Sequence, residues 1–407
     1  MKLLLDVTPL RLPVFRRLFV GRVFSGFGSQ MTLVAVMFQV WDMTGSTIWT
    51  GAVGLAQAVP IIVFGLFAGS LVDRVDRRRF YLITLVGQAA CSVLLVVQGF
   101  FGHLPVVGVL AIVAVQSCFV AGGGPASRTF LPRLLPPEQL AAGLALNRIA
   151  FQGAMLLGPA LAGLLLGWVG VGGCYLVDVV TFGLAFYGAF GLPAMLPDGE
   201  LSRPGLRGVA DGLAFVVREP VVRGALLTDL AAVVLSMPIS LFPLVNAERF
   251  GGNPRTFGLF LTAVAVGGVV ASAFSGVFTR AARPGVVMLV GSLGWGVSLA
   301  LFGLSTNPWV GLGFLVLAGV ADTVSVVSRG ALVQLHTPDS MLGRVAAAEQ
   351  IVGQGGPDVG NMRAGLVAGA TSGTFSLVSG GVLCVLAVAL VGATTPRLRT
   401  ASVHEPV

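Results

Sequence analysis

Apolar residues run in blocks of about twenty or more along the whole chain, separated by short polar or Pro/Gly-rich breaks. Blocks of that length match the hydrocarbon core of a bilayer, whereas a soluble helix alternates an apolar with a polar face. Twelve spans are predicted, the first six at 16–40, 47–71, 80–101, 105–127, 140–167 and 171–192. Six more follow at 221–246, 256–279, 285–304, 308–334, 342–368 and 373–393. The expected fold is an all-α membrane protein of twelve transmembrane helices in two pseudo-symmetric six-helix bundles.

The longest polar stretch, PAMLPDGELSRPGLRGVADGLAFVVREP, divides the two sets. It has room for an amphipathic surface helix, with Leu206, Val209, Leu213 and Val216 on one face. The domains expected are therefore 1–192, a cytoplasmic linker at 193–220, and 221–407 with a short tail. An offset of 207 residues carries Gly69-x-x-x-Asp73-Arg74 onto a fainter Gly276-x-x-x-Arg280, Gly51 onto Gly258, and Arg22 onto Asp229. Paired six-span halves around a central linker are typical of secondary transporters, which expose one site alternately to the two sides.

Composition agrees with a membrane class: 55% of residues are hydrophobic and 10% charged, against roughly 25% charged in soluble domains. The net charge of +8 is spread in small groups between spans, which argues for topology over nucleic-acid binding. Alternate loops hold nineteen and two Lys or Arg residues, the two being Arg249 and Arg255. By the positive-inside rule both termini are cytoplasmic, in a multi-pass protein of the cell membrane. The N-terminal MKLLLDVTPLRLP has too short an apolar stretch for a secretory signal, so the first span is expected to be retained.

Several chemistries find no support. Cys91, Cys118, Cys174 and Cys384 stand singly in apolar segments without disulfide or metal spacing. His103, His336 and His404 are too scattered for a metal or catalytic cluster. The one lysine, Lys2, leaves no phosphate-binding loop of the G-x-x-x-x-G-K-[ST] type. No cofactor, metal, nucleic acid or enzyme activity is expected. The partners expected are a small-molecule substrate, protons and the lipid bilayer, with the protein acting as a monomer.

One loop carries more than topology requires. GSLVDRVDRRR at 69–79 follows an uncharged run and packs six charged residues into seven positions. Positive charge on a cytoplasmic loop explains the arginines but not Asp73, Asp76 or Gly69. An Asp at a helix end beside arginines that reach carboxylates and helix-terminal carbonyls makes a latch between helix ends. Gly69, Leu71, Asp73, Arg74, Arg77 and Arg78 resemble the cytoplasmic signature of the major facilitator superfamily, with Asp76 where that signature usually has Gly. The resemblance implies that the loop, through Asp73, Arg74 and Arg77, controls interconversion of the outward-facing state.

Gly158-Pro159-Ala160-Leu161-Ala162-Gly163 resembles the antiporter signature of the same superfamily, with Ala162 in place of one glycine. Pro159 removes a helix hydrogen bond and the small residues permit close packing; an ordinary membrane-helix kink is the plainer reading. Within the superfamily, STIWTGAVGLA at 46–56, RPGVVMLVGSLG at 283–294 and LVQLHTPDSMLGRVAAAEQIVG at 332–353 resemble siderophore exporters of the enterobactin type and related drug exporters.

Nine charged residues fall inside the predicted spans away from their ends: Arg22, Arg148, Arg329, Arg363, Asp178, Asp229, Asp322, Glu349 and Asp358. A charge at a span's centre costs about 2.5–3.5 kcal/mol on insertion scales, so these residues line a cavity or pair. In the superfamily the first, fourth, seventh and tenth spans line the central cavity, which favours Arg22, Asp229, Asp322 and Arg329. Asp322 lies fourteen residues into its span, near the midplane, with Arg329 two turns further on the same face. Asp322 is the first choice for proton coupling and Asp229 the second.

Asp358, after Gly355-Gly356-Pro357, has either a transport role or a structural pairing with Arg363 or a neighbouring helix. Asp178 is expected to be structural. Gln30, Gln57, Gln116 and Asn147 serve substrate or helix packing; Phe24, Phe27, Phe38 and Trp41 face an aromatic substrate or, by default, lipid and core. The function expected is a proton-coupled exporter, an antiporter, of a small amphipathic siderophore-like or drug-like molecule. An uptake symporter on the same fold and a non-transporting sensor or scaffold are the alternatives.

Overall fold

The computed structural model describes residues 6–72, 75–102, 104–128, 130–195, 213–279 and 281–401, and every regular element among them is a helix. Ten helical stretches in these residues are long and apolar enough to cross a membrane. Helices are the expected outcome, because a chain in lipid must satisfy its backbone polar groups within each segment. Residues 6–43 and 59–195 form one compact unit, and residues 44–58 with 213–401 form the other. The boundary cuts helix α2 just before its internal Pro60.

The first unit is built from α1 (Pro13–Thr44), the later part of α2 (Thr47–Val72), α3 (Arg77–Phe101), α4 (Val106–Arg128), the short α5 (Phe130–Leu134) and α6 (Pro137–Phe190). At about 1.5 Å per residue, α6 is more than twice as long as the hydrocarbon core is thick. It is interrupted at Gly170, whose φ of 68° and ψ of −171° suit glycine alone, between the predicted spans 140–167 and 171–192. Leu18, Tyr81, Leu85, Phe130 and Phe182 pack its core, with the Tyr81 and Phe130 rings edge to face at 5.2 Å.

The second unit contains α7 (Pro220–Ser236), α8 (Phe242–Arg249), α9 (Pro254–Ala273), α10 (Ser275–Thr279), α11 (Pro284–Leu304), α12 (Pro308–Leu335), α13 (Asp339–Ala370), α14 (Gly373–Thr394) and α15 (Pro396–Thr400). The repeat is visible in the helix starts. Pro220, Pro254 and Pro284 open α7, α9 and α11, each 207 residues after the starts of α1, α2 and α3.

The predicted span 221–246 is not continuous. Helix α7 stops at Ser236, and a 3-10 turn at Ile239–Leu241 precedes α8, because Pro238 offers no backbone N–H to carry the helix on. The polar groups released there are taken up by neighbours. Arg363 of α13 donates to the Leu235 carbonyl. Ser240 N donates to Asn361 Oδ1 at 3.0 Å and Ser240 Oγ to the Asn361 carbonyl at 2.8 Å. Thr50 of α2 donates to the Ser240 carbonyl at 2.8 Å. Left unmet in lipid, each such group costs several kcal/mol, so these bonds are what make the break tolerable.

Candidate transport site

In the first unit a cavity of about 360 Å³ opens among α1, α3, α4 and α6. Helix α1 contributes Arg22, Ser25, Gly26 and Ser29, and α6 contributes Asn147, Ala150, Phe151 and Ala154. Both sets follow the i, i+3, i+4, i+7 spacing of a single helix face. Tyr81 and Gln88 of α3, Ser127 of α4 and Phe182 complete the polar and aromatic lining. Arg22 is the one charged side chain on this wall, and among the described residues no carboxylate forms an ion pair with it. Polar groups, rings and one guanidinium together suit a ligand with an apolar ring and an anionic or strongly accepting group.

The rings on the wall are Tyr81, Phe151 and Phe182, not the Phe24, Phe27, Phe38 or Trp41 singled out from sequence. Phe24 is 46% exposed. Its position between Arg22 and Gly26 turns it to the other side of α1.

In the second unit the charges mostly meet each other. Arg329 of α12 forms an ion pair with Asp229 of α7, both side chains being largely buried. Glu349 of α13 lies within electrostatic reach of the same guanidinium. Arg329 thus serves Asp229 on another helix rather than Asp322 two turns away on its own. Asp322 keeps an exposed side chain with no hydrogen-bond or ion-pair partner among the described residues. Asp358 packs against α2, where a methyl group on Gly54 would lie 3.2 Å from its Oδ1. Arg363 braces the α7 break instead of pairing with Asp358.

Asp73 and Arg74 lie outside the described residues, as do the side chain surroundings of Gly69 and most of the predicted linker. The rest of that loop is described. Asp76 caps α3: its Oδ1 accepts from Arg78 N at 3.0 Å and from Met195 N at 3.1 Å. Arg77 N donates to the Met195 carbonyl at 3.1 Å. Arg78 donates to the Phe190 carbonyl at the end of α6 at 2.5 Å, with its guanidinium 5.5 Å from that ring. A cation at a helix C-terminus is favoured by the helix dipole. Asp76, one of the two acids of this loop that topology leaves unexplained, is thus an organising residue at a helix end. Its signal was present, an Asp immediately before a helix start.

Of the antiporter-like run, Gly158, Pro159 and Gly163 all lie buried in α6. A Cβ on Gly158 would sit 2.6 Å from that of Gln30, so the glycine lets α6 pack closely on α1 beside the cavity.

A bilayer-spanning helical fold with a repeated half, a polar cavity and buried charges defines a secondary transporter of the major facilitator type. The chain belongs to the transmembrane secretion effector family of that superfamily, which it matches over residues 6–404. It is 29% identical over 398 residues to the enterobactin exporter of Shigella boydii serotype 18, covering 92% of this chain and 91% of that one. It is 28% identical to the enterobactin exporter of Escherichia coli O139:H28, with the same coverage.

Among solved structures it resembles a peptide transporter (TM-score 0.77, 11% identity, 95% and 94% of the two chains). It also resembles a bacterial homologue of the iron transporter ferroportin in an inward-facing state (TM-score 0.69, 17% identity, 96% and 99%). These structures establish the fold. The protein is a multi-pass membrane transporter, and its family and relatives are transporters rather than enzymes.

Proposed function

We propose that the protein is a proton-coupled exporter, an antiporter, that carries a small amphipathic molecule out of the cytoplasm by alternating access. The observation that carries this reading is the cavity of the first unit, with Arg22 as its one charge among hydroxyls, amides and rings. A volume of about 360 Å³ falls within the range of small-molecule sites. The substrate then has an aromatic or apolar body and a group that accepts from a guanidinium, as siderophore-like and many drug-like compounds do. Export is supported by the family and by relatives named as enterobactin exporters.

Asp322 is the proposed proton carrier, because it is exposed and without an ion-pair or hydrogen-bond partner among the described residues, where Asp229 is held by Arg329. The proposed gating loop includes Asp73, Arg74, Arg77 and Arg78. The nineteen-to-two loop charge count supports cytoplasmic termini in the cell membrane.

The test is an untargeted comparison of small molecules in medium and cells, with and without the gene, in iron-poor and iron-rich growth. The expected result is a compound lost from the medium and retained in cells when the gene is deleted. Retention only in iron-poor growth identifies a siderophore. No compound changing compartment in either condition overturns export.

A further inference from the structure

The second half of α6 bears a buried polar stripe that the cavity does not use. Tyr175, Asp178 and Thr181 recur every three residues along it, and Tyr175 and Asp178 are wholly buried. Tyr175 donates to Gln39 Oε1 of α1 at 2.7 Å, and Gln39 donates to Gln98 of α3 at 2.9 Å. Asp178 Oδ2 accepts from Ser92 Oγ of α3 at 2.7 Å, and Ser92 accepts from Gln116 of α4 at 3.0 Å. Asp178 Oδ1 has no hydrogen-bond partner among the described residues.

That oxygen faces α1. A methyl group on Gly28 would lie 2.6 Å from it, and Thr32, one turn along α1, faces the same carboxyl. The Thr32 hydroxyl oxygen is buried and likewise has no hydrogen-bond partner among the described residues. No ion pair reaches Asp178 among the described residues. The titratable groups around it are Tyr175 and Cys174 on its own helix, with Cys91 beside Ser92 on α3, and all are neutral in their ordinary states. Helices α1 and α4 present Gly28, Thr32 and Gln116.

Two hydroxyls face this carboxyl, of which only Ser92 makes a hydrogen bond to it among the described residues, and no cation does. An ionised carboxylate so placed is among the most costly groups to bury, and such a group neutralises instead. We infer that Asp178 is a proton-binding site of the first unit, occupied as the neutral acid with its O–H on Oδ1 directed at Thr32 Oγ1. One proton then satisfies both orphaned oxygens, and Ser92 satisfies the other. A bare metal cation needs several oxygen ligands around it, and the α1 backbone already closes on Oδ1 at Gly28. On α1, Gly28 and Thr32 lie directly beside the strip of Arg22, Ser25 and Ser29 that lines the cavity, with Thr32 two turns from Ser25. The bound proton therefore clasps to α6 the helix that presents the guanidinium. This inference concerns the protonation of one residue and stands independently of what is transported or in which direction.

The test is infrared spectroscopy of the full-length protein in lipid nanodiscs at neutral pH. Wild type is expected to show a carboxylic-acid carbonyl band that Asp178→Asn removes, with the carboxylate band unchanged. Loss of carboxylate intensity in Asp178→Asn, with the acid band intact, would overturn the proposal. Asparagine is nearly isosteric with the neutral acid, so the variant is expected to fold in normal yield. Thr32→Val and Ser92→Ala provide a second reading that does not depend on it. Each removes one hydrogen bond and is expected to shift the acid band to higher frequency; no shift in either variant contradicts the proposed geometry.

Discussion

Arg22 and Asp229 occupy the same place in the two halves, each nine residues into the first helix of its unit, and they are used in opposite ways. Arg22 faces a cavity with no carboxylate on its wall. Asp229 is closed off by Arg329. The first unit thus leaves a charge facing an open cavity, while the second pairs Asp229 with Arg329 and leaves Asp322 of α12 without a partner among the described residues. One repeated scaffold gives a shared position an open cavity in one half and an ion-pair partner in the other, by which neighbours it places opposite.

The largest effect is expected from opening the compensated side. Asp229→Asn leaves Arg329 buried without its partner, a loss of about 3–5 kcal/mol. It is expected to lower the thermal midpoint of the purified protein markedly, and the exchange Asp229→Arg with Arg329→Asp to recover part of the loss. A midpoint unchanged by Asp229→Asn would show that the pair does not hold α7 against α12.

A smaller effect sharpens the open side. Arg22→Gln removes a charged hydrogen-bond donor worth about 1.5–3 kcal/mol. It is expected to raise KM for an anionic substrate at least about tenfold, with kcat little changed and a neutral analogue unaffected. Equal losses for both compounds would remove Arg22 from substrate recognition.

Outside both sites the effects are expected to be smaller still. Asp76→Ala deletes the α3 cap and its bond to Met195, and is expected to cost about 1 kcal/mol in denaturant or thermal unfolding. Arg79 is 84% exposed and 3.8 Å from the same carboxylate. Arg79→Ala is expected to leave stability unchanged, since exposed pairs contribute little. A larger loss from Arg79 than from Asp76 would reverse the assignment of the cap.

The architecture was legible because run length alone separates membrane helices from soluble ones, and the repeat offset of 207 reappears in three helix starts. The break in the seventh span was missed although Pro238 marked it, since an apolar run looks continuous whether or not its backbone bonds are. The positions of charges along spans were readable, but their partners were not. Arg329 shares a face with Asp322 by spacing, yet it bonds to Asp229 because α7 lies closer to it than two turns of its own helix. Arg363 likewise goes to a carbonyl that exists only because α7 breaks. The cavity rings Tyr81, Phe151 and Phe182 are not legible for the same reason, since sequence places a ring on a helix but not against its neighbours.

The division of labour rests on Asp322, and everted membrane vesicles test it most directly. Uptake of the compound retained by the deletion strain is followed under an imposed pH gradient, acid inside, with wild type and Asp322→Asn. Wild type should accumulate the compound only while the gradient lasts, and Asp322→Asn should bind it with unchanged affinity but fail to accumulate it. Gradient-driven accumulation by Asp322→Asn equal to that of wild type would contradict the assignment.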